Sequence, residues 1–268
     1  MIDSLWQYYH DFGRHDLPWR QPELDGSFDP YKIMVSEIML QQTQVGRVIP
    51  KFNEFLITFP TVADLAQVAL AEVLKQWSGL GYNRRAKFLW QAAHMIHSDL
   101  HGDFPQTLPE LVALPGIGPN TAGAILAYAY NQPALFIETN IRTVYIHHFF
   151  ADQSAVPDAA IRELLAETID ADNPREFYWA LMDYGSYLKQ SGIKIHRQSK
   201  QYIKQKPLKG SVREVRGALI KVLAQGPQTI TALRKKIDFD TARYNTAIEQ
   251  LVAEQLIEKK GNKYQILS

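Results

Sequence analysis

The sequence predicts an all-α fold that ends in a small winged-helix module. Apolar residues recur three and four positions apart over most of the 268 residues, which is the spacing of a helix face. Proline and glycine separate these stretches, as they do between short helices. Alternation of apolar and polar residues, the pattern of a strand, is scarce until the last dozen residues. The chain is therefore expected to be helical up to that final segment.

The helices can be followed along the chain by apolar spacing and by start signals. One predicted helix has its aromatic face at Phe52, Phe55 and Phe59, and the next apolar series is Leu65, Val68, Leu70, Val73, Leu74 and Trp77. Thr61 and Thr107 occupy N-cap positions, where a hydroxyl accepts a hydrogen bond from a free backbone N–H.

A domain boundary is predicted within residues 206–211, where the sequence reads KPLKGS. The elements expected after it are a helix over 211–226, a short helix over 229–237, a helix over 240–255 and a two-strand hairpin over 256–268 that turns at Gly261 and Asn262. Three helices closed by a hairpin form a winged-helix module, and such modules bind DNA or mediate protein contacts.

Composition excludes several classes of protein. Apolar residues make up 46% of the chain, which is ample for a packed core. The chain holds no cysteine, so disulfides, thiolate nucleophiles and cysteine-ligated metal clusters are excluded. The first residues lack the apolar core of a signal peptide, and no stretch of 18 apolar residues occurs, so we expect a cytoplasmic protein without a membrane span.

Charge is balanced overall but not locally. The 29 basic and 28 acidic residues give a net charge of +1, which by itself indicates no nucleic acid partner. Residues 189–221, however, contain ten Lys or Arg, including Lys200 and Lys204, and one acidic residue, Glu214. This run is typical either of a solvated linker or of a surface that binds phosphates.

The most informative segment is LPGIGPNTAGAIL, residues 114–126. Its two glycines allow a tight turn that brings backbone N–H groups to a helix N-terminus, where an anion such as a DNA phosphate can bind. A GxG pair alone is also typical of an ordinary helical corner, but the full string matches the helix-hairpin-helix signature. The phosphate contacts are expected from Leu114, Gly116, Ile117, Gly118, Asn120 and Thr121.

Three further blocks and a short preceding motif extend this signature. They are LPWR (17–20), DPYKIMVSEIMLQQTQV (29–45), WSGLGYNRRAKFL (77–89) and FIETNIRTV (136–144). With the hairpin they resemble the helix-hairpin-helix DNA glycosylases (the HhH-GPD superfamily), over about residues 5–190. The resemblance is strongest to the bacterial adenine glycosylases that remove adenine mispaired with oxidised guanine. The endonuclease III and thymine-mismatch branches share these blocks in part.

The resemblance implies a two-lobed helical glycosylase domain that binds DNA and a flipped base between its lobes. The domain would span residues 1–208, with one lobe at 28–135 and the other at 1–27 plus 136–208, and the winged helix would span 209–268. The implied partner is double-stranded DNA that contains a mismatched or damaged base, and the implied state is a monomer.

The resemblance also implies roles for two carboxyl groups. Glu37, in the apolar stretch IMVSEIML, would be the general acid, because a carboxyl in a low-dielectric pocket keeps its proton near neutral pH. Glu138 stands where the family has aspartate and would stabilise the positively charged sugar, either electrostatically or by transient covalent attachment. Its extra methylene implies either a retreated backbone or an altered reaction. Asn140 would orient the sugar or a water molecule.

Position 120 bears on the reaction type. The family's bifunctional glycosylase/lyases have a lysine here that forms a Schiff base, whereas this chain has Asn120, so we predict a monofunctional enzyme. The adenine branch usually has serine or tyrosine at this position, so Asn120 is a second departure.

Other residues receive roles from the same resemblance. Gln41, Gln42 and Tyr82 would enter the DNA stack and contact the base opposite the flipped one. The base pocket would be formed by Trp19, Arg20, Leu40, Asn120 and Asp183, and Arg142 would contact phosphate or pair with a carboxylate. His147 and His148, in the aromatic run YIHHFF, are expected to be packing residues.

We expect neither the family's iron–sulfur cluster nor its Nudix-like C-terminal domain in this chain. Without cysteine we expect no cluster and no other cofactor or metal, and Lys200 and Lys204 of the basic run would supply phosphate contacts in its place. The last 58 residues are expected to be too short for the Nudix-like domain, which reads oxidised guanine in the family. Besides adenine excision, two alternatives stay open: a mismatch-specific thymine or uracil glycosylase, and a non-catalytic protein that binds DNA damage.

Overall fold

The computed structural model describes residues 1–192, 195, 198–202 and 207–267. The chain folds into two compact units. Unit 1 comprises Met1–Glu37, Pro105–Ala113 and Ile117–Lys204, and unit 2 comprises Ile38–Phe104, Leu114–Gly116 and Gln205–Ser268. This grouping differs from the predicted one, because the C-terminal residues belong to the same unit as residues 38–104 rather than to a unit of their own.

The described residues form mainly helices, as the apolar spacing predicts. The helices are α1 (Ile2–Phe12), α2 (Pro30–Leu40), α3 (Val45–Thr58), α4 (Val62–Ala66), α5 (Leu70–Gln76), α6 (Arg84–His94), α7 (Leu108–Ala113), α8 (Pro119–Tyr130), α9 (Thr139–Phe149), α10 (Asp158–Thr168), α11 (Pro174–Gln190), α12 (Val212–Leu223), α13 (Ile230–Lys236) and α14 (Thr241–Ala253). A 3₁₀ turn spans Pro18–Arg20 and a π-helical turn spans Met95–Asp99. Among the helices of the described ranges, none combines the length and the apolar character needed to cross a membrane.

Unit 1 is built around α11, which packs against α9, α1 and α8. Phe136 stacks on Tyr178 of α11 with ring centroids 4.1 Å apart. A Cβ atom on Gly123 of α8 would lie 3.0 Å from the Phe136 Cβ, so the small residue lets the helix approach this ring. These buried aromatic rings fix the segment that leads into Glu138.

In unit 2, α4 and α5 pack against α6. Phe55 and Phe59 are in contact, with ring centroids 4.9 Å apart, as their predicted common face requires. Thr61 is the predicted N-cap of α4, where its hydroxyl accepts from the Asp64 N–H and the Asp64 side chain accepts in return from the Thr61 N–H. The apolar series that follows is divided between α4 and α5.

The C-terminal residues form the predicted winged-helix elements with one addition. Strands β1 (Gln228–Thr229), β2 (Ile257–Lys260) and β3 (Lys263–Ile266) form an antiparallel sheet in the order β1-β3-β2. The β2–β3 turn falls at Gly261 and Asn262, as predicted, but β1 was not predicted because two residues are too few to show alternation.

This module packs on the remainder of unit 2. Helix α12 contacts α5. The Lys87 Nζ of α6 donates to the Glu254 carbonyl at 2.8 Å, just after α14 ends. A buried lysine that satisfies a helix C-terminus fixes the module against α6.

Candidate active site

Glu37 lies on α2 among buried apolar residues of unit 1. Glu37 is half-buried as a residue, between the buried Ser36 and Ile38. Burial, first, and the nearby charge of Glu138 raise the pKa of Glu37 well above its ordinary value of 4.5, while Arg20 acts in the opposite direction. A raised pKa favours the protonated form of the carboxyl.

Glu138 is the N-cap residue of α9, but its side chain makes no capping hydrogen bond. Burial raises the pKa of Glu138, and the charges of Arg142 and Lys189 oppose the shift. The N-terminus of a helix also favours a negative charge. Burial is the largest influence on the pKa of both carboxyls, but the charge of Glu138 adds to the rise at Glu37, whereas two cations oppose the rise at Glu138.

Asn140 is held by α11 on one side of its amide. Its Nδ2 donates to the Met182 carbonyl at 3.0 Å, while its buried Oδ1 has no hydrogen-bond partner among the described residues. A Cβ atom on Gly185 would lie 2.3 Å from the Asn140 carbonyl oxygen, so only glycine permits this approach of α9 to α11. The Asn140 side-chain oxygen is therefore a positioned acceptor.

Arg20 and Asp183, both predicted for the base pocket, are paired with each other. Arg20 Nη1 and Nη2 donate to the two carboxylate oxygens of Asp183 at 2.8 and 2.9 Å. Arg14 Nε donates to the same carboxylate at 2.7 Å. Burial alone would raise the pKa of Asp183, but the hydrogen bond and charge of Arg20, with those of Arg14, lower it. Arg14 was not predicted, because nothing local to it signals a partner 169 residues away.

Trp19 and Leu40, also predicted for the base pocket, lie in different units. Trp19 is buried in unit 1, next to the ion pair of Arg20. Leu40 is the last residue of α2 and is half-buried in unit 2.

The Asn120 side chain bonds to the backbone that precedes Glu138. Its Nδ2 donates to the Ile137 carbonyl at 3.0 Å, and the Ile137 N–H donates to its Oδ1 at 3.4 Å. Both polar atoms of the Asn120 amide therefore bond to the backbone, whereas the sequence predicted contacts with the base and with a phosphate. Asn120 fixes the entry into α9.

The predicted helix-hairpin-helix turn joins α7 to α8. Gly116 has φ +78°, and a Cβ there would lie 2.5 Å from the Phe88 Cβ, so both conformation and packing require glycine. Gly118 is the exposed N-cap of α8, and Thr121 is half-buried in its first turn, whereas Leu114 and Ile117 are buried. The exposed backbone at Gly118 is the part of the turn suited to a phosphate.

Of the remaining predicted phosphate ligands, Arg142 is already paired with a carboxylate. Arg142 Nε and Nη2 each donate to the Asp158 carboxylate at 2.7 Å, which is the carboxylate pairing left open by the sequence rather than a free phosphate ligand. Lys200 is exposed, and its N–H donates to the Val156 carbonyl at 3.0 Å. Lys204 lies outside the described residues.

The predicted DNA-intercalating residues lie in unit 2, and two of the three have a left-handed backbone. Gln41 and Gln42 follow the end of α2, and Gln42 has φ +56°. Tyr82 has φ +48° and a side chain that is 37% exposed, so it is not a core residue. Left-handed backbone at residues other than glycine is uncommon and concentrates at functional loops.

His148 has the packing role that was expected of the histidine pair. Its Nε2 is 3.1 Å from the Tyr184 hydroxyl, and burial, reinforced by His147, lowers the pKa of His148 to about 4. Among the described residues, no group of three or more His, Asp or Glu could hold a metal ion. A cysteine-ligated cluster does not fit this chain, because the full sequence holds no thiolate donor.

Residues 35–169 match the family model of HhH-GPD superfamily base excision DNA repair proteins, and the chain belongs to that superfamily. An adenine DNA glycosylase of Mycolicibacterium smegmatis is 30% identical in an alignment of 278 positions, gaps included, that covers 95% of this chain and 92% of the relative. An adenine DNA glycosylase of Buchnera aphidicola is 37% identical over 189 residues, which cover 69% of this chain and 52% of the relative. Within the superfamily, these relatives place the chain in the adenine DNA glycosylase branch. The chain spans about half the length of the Buchnera relative.

The solved structures agree on the fold. A thermostable thymine-DNA glycosylase superposes with a TM-score of 0.60 at 24% identity, over 69% of this chain and 84% of that one. At this identity the likeness supports the fold alone. The predicted all-α glycosylase fold with a small C-terminal module is confirmed.

Proposed function

We propose that the protein is a monofunctional adenine DNA glycosylase of base excision repair. It extrudes an adenine that is paired with guanine or oxidised guanine from double-stranded DNA and hydrolyses its N-glycosidic bond. The observation that carries the proposal is the pair of enclosed carboxyl groups in unit 1: burial and the charge of Glu138 raise the pKa of Glu37, while Arg142 and Lys189 oppose the rise at Glu138.

The pair supplies both halves of the reaction. Glu37 donates its proton to N7 of adenine, so the electron pair of the breaking C1′–N9 bond passes to a neutral leaving base. Glu138 stabilises the positive charge that develops on the sugar. A water molecule, oriented by the positioned oxygen of Asn140, adds to C1′ and releases a proton, which leaves an abasic site.

Two features support adenine as the substrate. The M. smegmatis relative, which is named an adenine DNA glycosylase, aligns with 95% of this chain. A buried proton donor also suits a purine, because protonation at N7 makes the base a better leaving group. We further propose that the enzyme acts as a monomer, without a cofactor or metal, in the cytoplasm at the nucleoid.

The absence of lyase activity follows from Asn120, whose amide cannot form a Schiff base. The lysine to test is Lys189, since its charge acts on Glu138 and burial lowers its own pKa. We expect no covalent protein–DNA adduct when borohydride is added during the reaction. An adduct that disappears in Lys189→Ala would show lyase chemistry and contradict the monofunctional assignment.

The experiment that tests the function is a panel of end-labelled duplexes that carry A, T, U or hypoxanthine opposite G, oxidised G or C. Base release is read as strand cleavage after alkali. We expect release of adenine opposite G and oxidised G. Release of T or U alone would overturn adenine specificity, and no release from any duplex would overturn the enzyme assignment.

A further inference from the structure

The hairpin of the C-terminal module carries a cluster of lysines at its turn. Lys259 and Lys260 end β2 and Lys263 begins β3, so exposed lysines stand on both sides of Gly261 and Asn262. Lys260 and Lys263 are directly opposite each other in the register of the two strands. Like charges at opposite positions of a sheet repel each other and lower stability. A bound anion is therefore a better explanation of this pair than packing.

The last turn of α13 extends the positive charge toward the same sheet. It contains Arg234, Lys235 and Lys236, which are all exposed. The Lys236 Nζ donates to the Gln228 Oε1 of β1 at 3.3 Å, and β1 pairs with the start of β3, next to the hairpin turn. Cations near a helix C-terminus also stabilise the helix itself, so these three have a structural role as well. Together with the hairpin lysines they form what we call the basic surface: Arg234, Lys235, Lys236, Lys259, Lys260 and Lys263.

The basic surface keeps its charge unpaired within the described part of the chain. None of the ion pairs found there involves its six residues. Of the acidic residues in the same elements and turns, Asp240 pairs with Arg243, and Glu258 accepts from the Gln265 Nε2 at 2.7 Å. Asp238, in the turn after α13, is exposed. The excess of cations favours an extended anionic partner.

Helix α14 of the module is less suited to an anionic partner than the hairpin and α13. Described over its whole length, it has one cation, Arg243, which is already paired, and its Glu249 is exposed. Contacts with DNA phosphates need cations and carry no sequence information, whereas sequence is read from base edges in a groove. Lysine is a point charge on a flexible stem, which suits a phosphate better than a specific base. The basic surface therefore fits the backbone of a nucleic acid.

We propose that the basic surface of the C-terminal module binds the phosphate backbone of the duplex that carries the mismatched base, without reading its sequence. The inference rests on the proposed function, because that function makes duplex DNA the partner. The residues predicted to enter the DNA stack belong to unit 2, as the module does, so one compact unit carries both. A phosphate beside Lys260 and Lys263 also offsets the repulsion between these two charges.

The test is the salt dependence of binding to a duplex with a tetrahydrofuran abasic analogue opposite guanine. Each phosphate contact contributes about 0.9 to the slope of the logarithm of affinity against the logarithm of salt concentration. We expect Lys260→Gln combined with Lys263→Gln to lower this slope by about two. Raising salt from about 50 to about 200 mM should then weaken the unmodified protein about tenfold more than the variant. Lys260→Arg combined with Lys263→Arg should keep the slope, because arginine keeps both charges.

A second variant and a control make the test independent of one pair of residues. Lys235→Gln alters α13 alone and should lower the slope by about one. Lys75→Gln is the matched control, because Lys75 is an exposed lysine of the same unit whose charge is already paired with Glu72 at 2.6 Å. This control should leave the slope unchanged.

The possible results separate the inference from the proposed function. An unchanged slope in the glutamine variants, or an equal fall in the Lys75→Gln control, contradicts the basic surface as a DNA contact. The paired glutamine variant should melt no lower than the unmodified protein, since it removes a repulsion, so melting curves show whether lost binding reflects lost folding. Slopes that fall as expected, with no base release from any duplex, would overturn the proposed function alone.

Discussion

The replacement Glu37→Gln tests the assignment of the proton within the carboxyl pair. Glutamine keeps the size and hydrogen-bonding atoms of the side chain but has no transferable acid proton. General acid catalysis contributes about 10²–10⁴-fold to a rate, so we expect single-turnover release of adenine to fall by that factor while DNA binding changes little. The measurement is alkaline cleavage of a labelled A·G duplex, with binding followed by a mobility shift.

The same replacement has an opposite effect on stability. Since burial raises the folded-state pKa of Glu37 above 4.5, the folded protein retains a proton that the unfolded chain releases as pH rises. The free energy of unfolding therefore falls by about 1.4 kcal/mol per pH unit between the unfolded-state and folded-state pKa values. Glu37→Gln removes this loss, so its stability relative to the unmodified protein should increase from pH 5 to pH 7, by at most about 3 kcal/mol.

Both effects have a matched control and a refuting result. Glu163→Gln alters an exposed carboxyl of α10 in the same unit and should change neither the rate nor the pH dependence. A Glu37→Gln protein that retains its rate within a few-fold would refute the proton-donor role. Unfolding curves with an unchanged pH dependence would show that the Glu37 carboxyl is not held neutral by the fold.

Three further replacements test contacts around the site. Gly185→Ala puts a Cβ against the α9 backbone, so it should lower the free energy of unfolding by about 1–3 kcal/mol in a thermal melt and also lower the activity. The control is Gly46→Ala, which should not destabilise the protein because a Cβ there has open space. Asp183→Asn leaves the buried Arg20 charge uncompensated, so we expect the free energy of unfolding in denaturant to fall by about 3–5 kcal/mol. A change of less than about 0.5 kcal/mol would contradict the buried ion pair between Arg20 and Asp183. Asn120→Ala removes two hydrogen bonds to the segment before the second carboxyl and should lower the rate more than the affinity for DNA; equal losses in both would indicate a phosphate contact instead.

The sequence predicted what is encoded locally and missed what depends on distant contacts. Apolar spacing predicted the helices around Phe52 and Leu65, and the turn at Gly261 followed from residue type alone. The docking of the C-terminal module was missed, because Lys87 and the end of α14 are far apart in the chain and neither carries a local signal. The local sequence pattern indicates which face of a helix is apolar, but it does not indicate which other element packs on that face.

In the candidate site, too, the residues within recognisable sequence blocks could be predicted, and those that depend on distant contacts could not. Glu37 and Glu138 could be predicted from the blocks in which they stand, and the structure adds the asymmetry of their surroundings. Arg14 and Gly185 could not be predicted, because their importance comes from Asp183 and from the Asn140 backbone. A glycine within the apolar helix α11 was nevertheless a usable signal, since glycine is unfavourable in a helix interior unless close packing requires it.

The two departures from the family pattern, Asn120 and Glu138, meet at the backbone of one residue, Ile137. Asn120 bonds both the N–H and the carbonyl of Ile137, the residue before Glu138. Glutamate in place of aspartate adds about 1 Å of reach, and a misplacement of that size can cost on the order of 100-fold in rate. The Glu138 side chain has one more rotatable bond than aspartate. Its carboxyl can be positioned accurately only if the backbone is fixed, because backbone motion would add to the motion of the side chain. A lysine ammonium could donate to the Ile137 carbonyl but could not accept from the Ile137 N–H, whereas the Asn120 amide does both. Asparagine at 120 and glutamate at 138 are therefore better understood as one adaptation than as two separate losses.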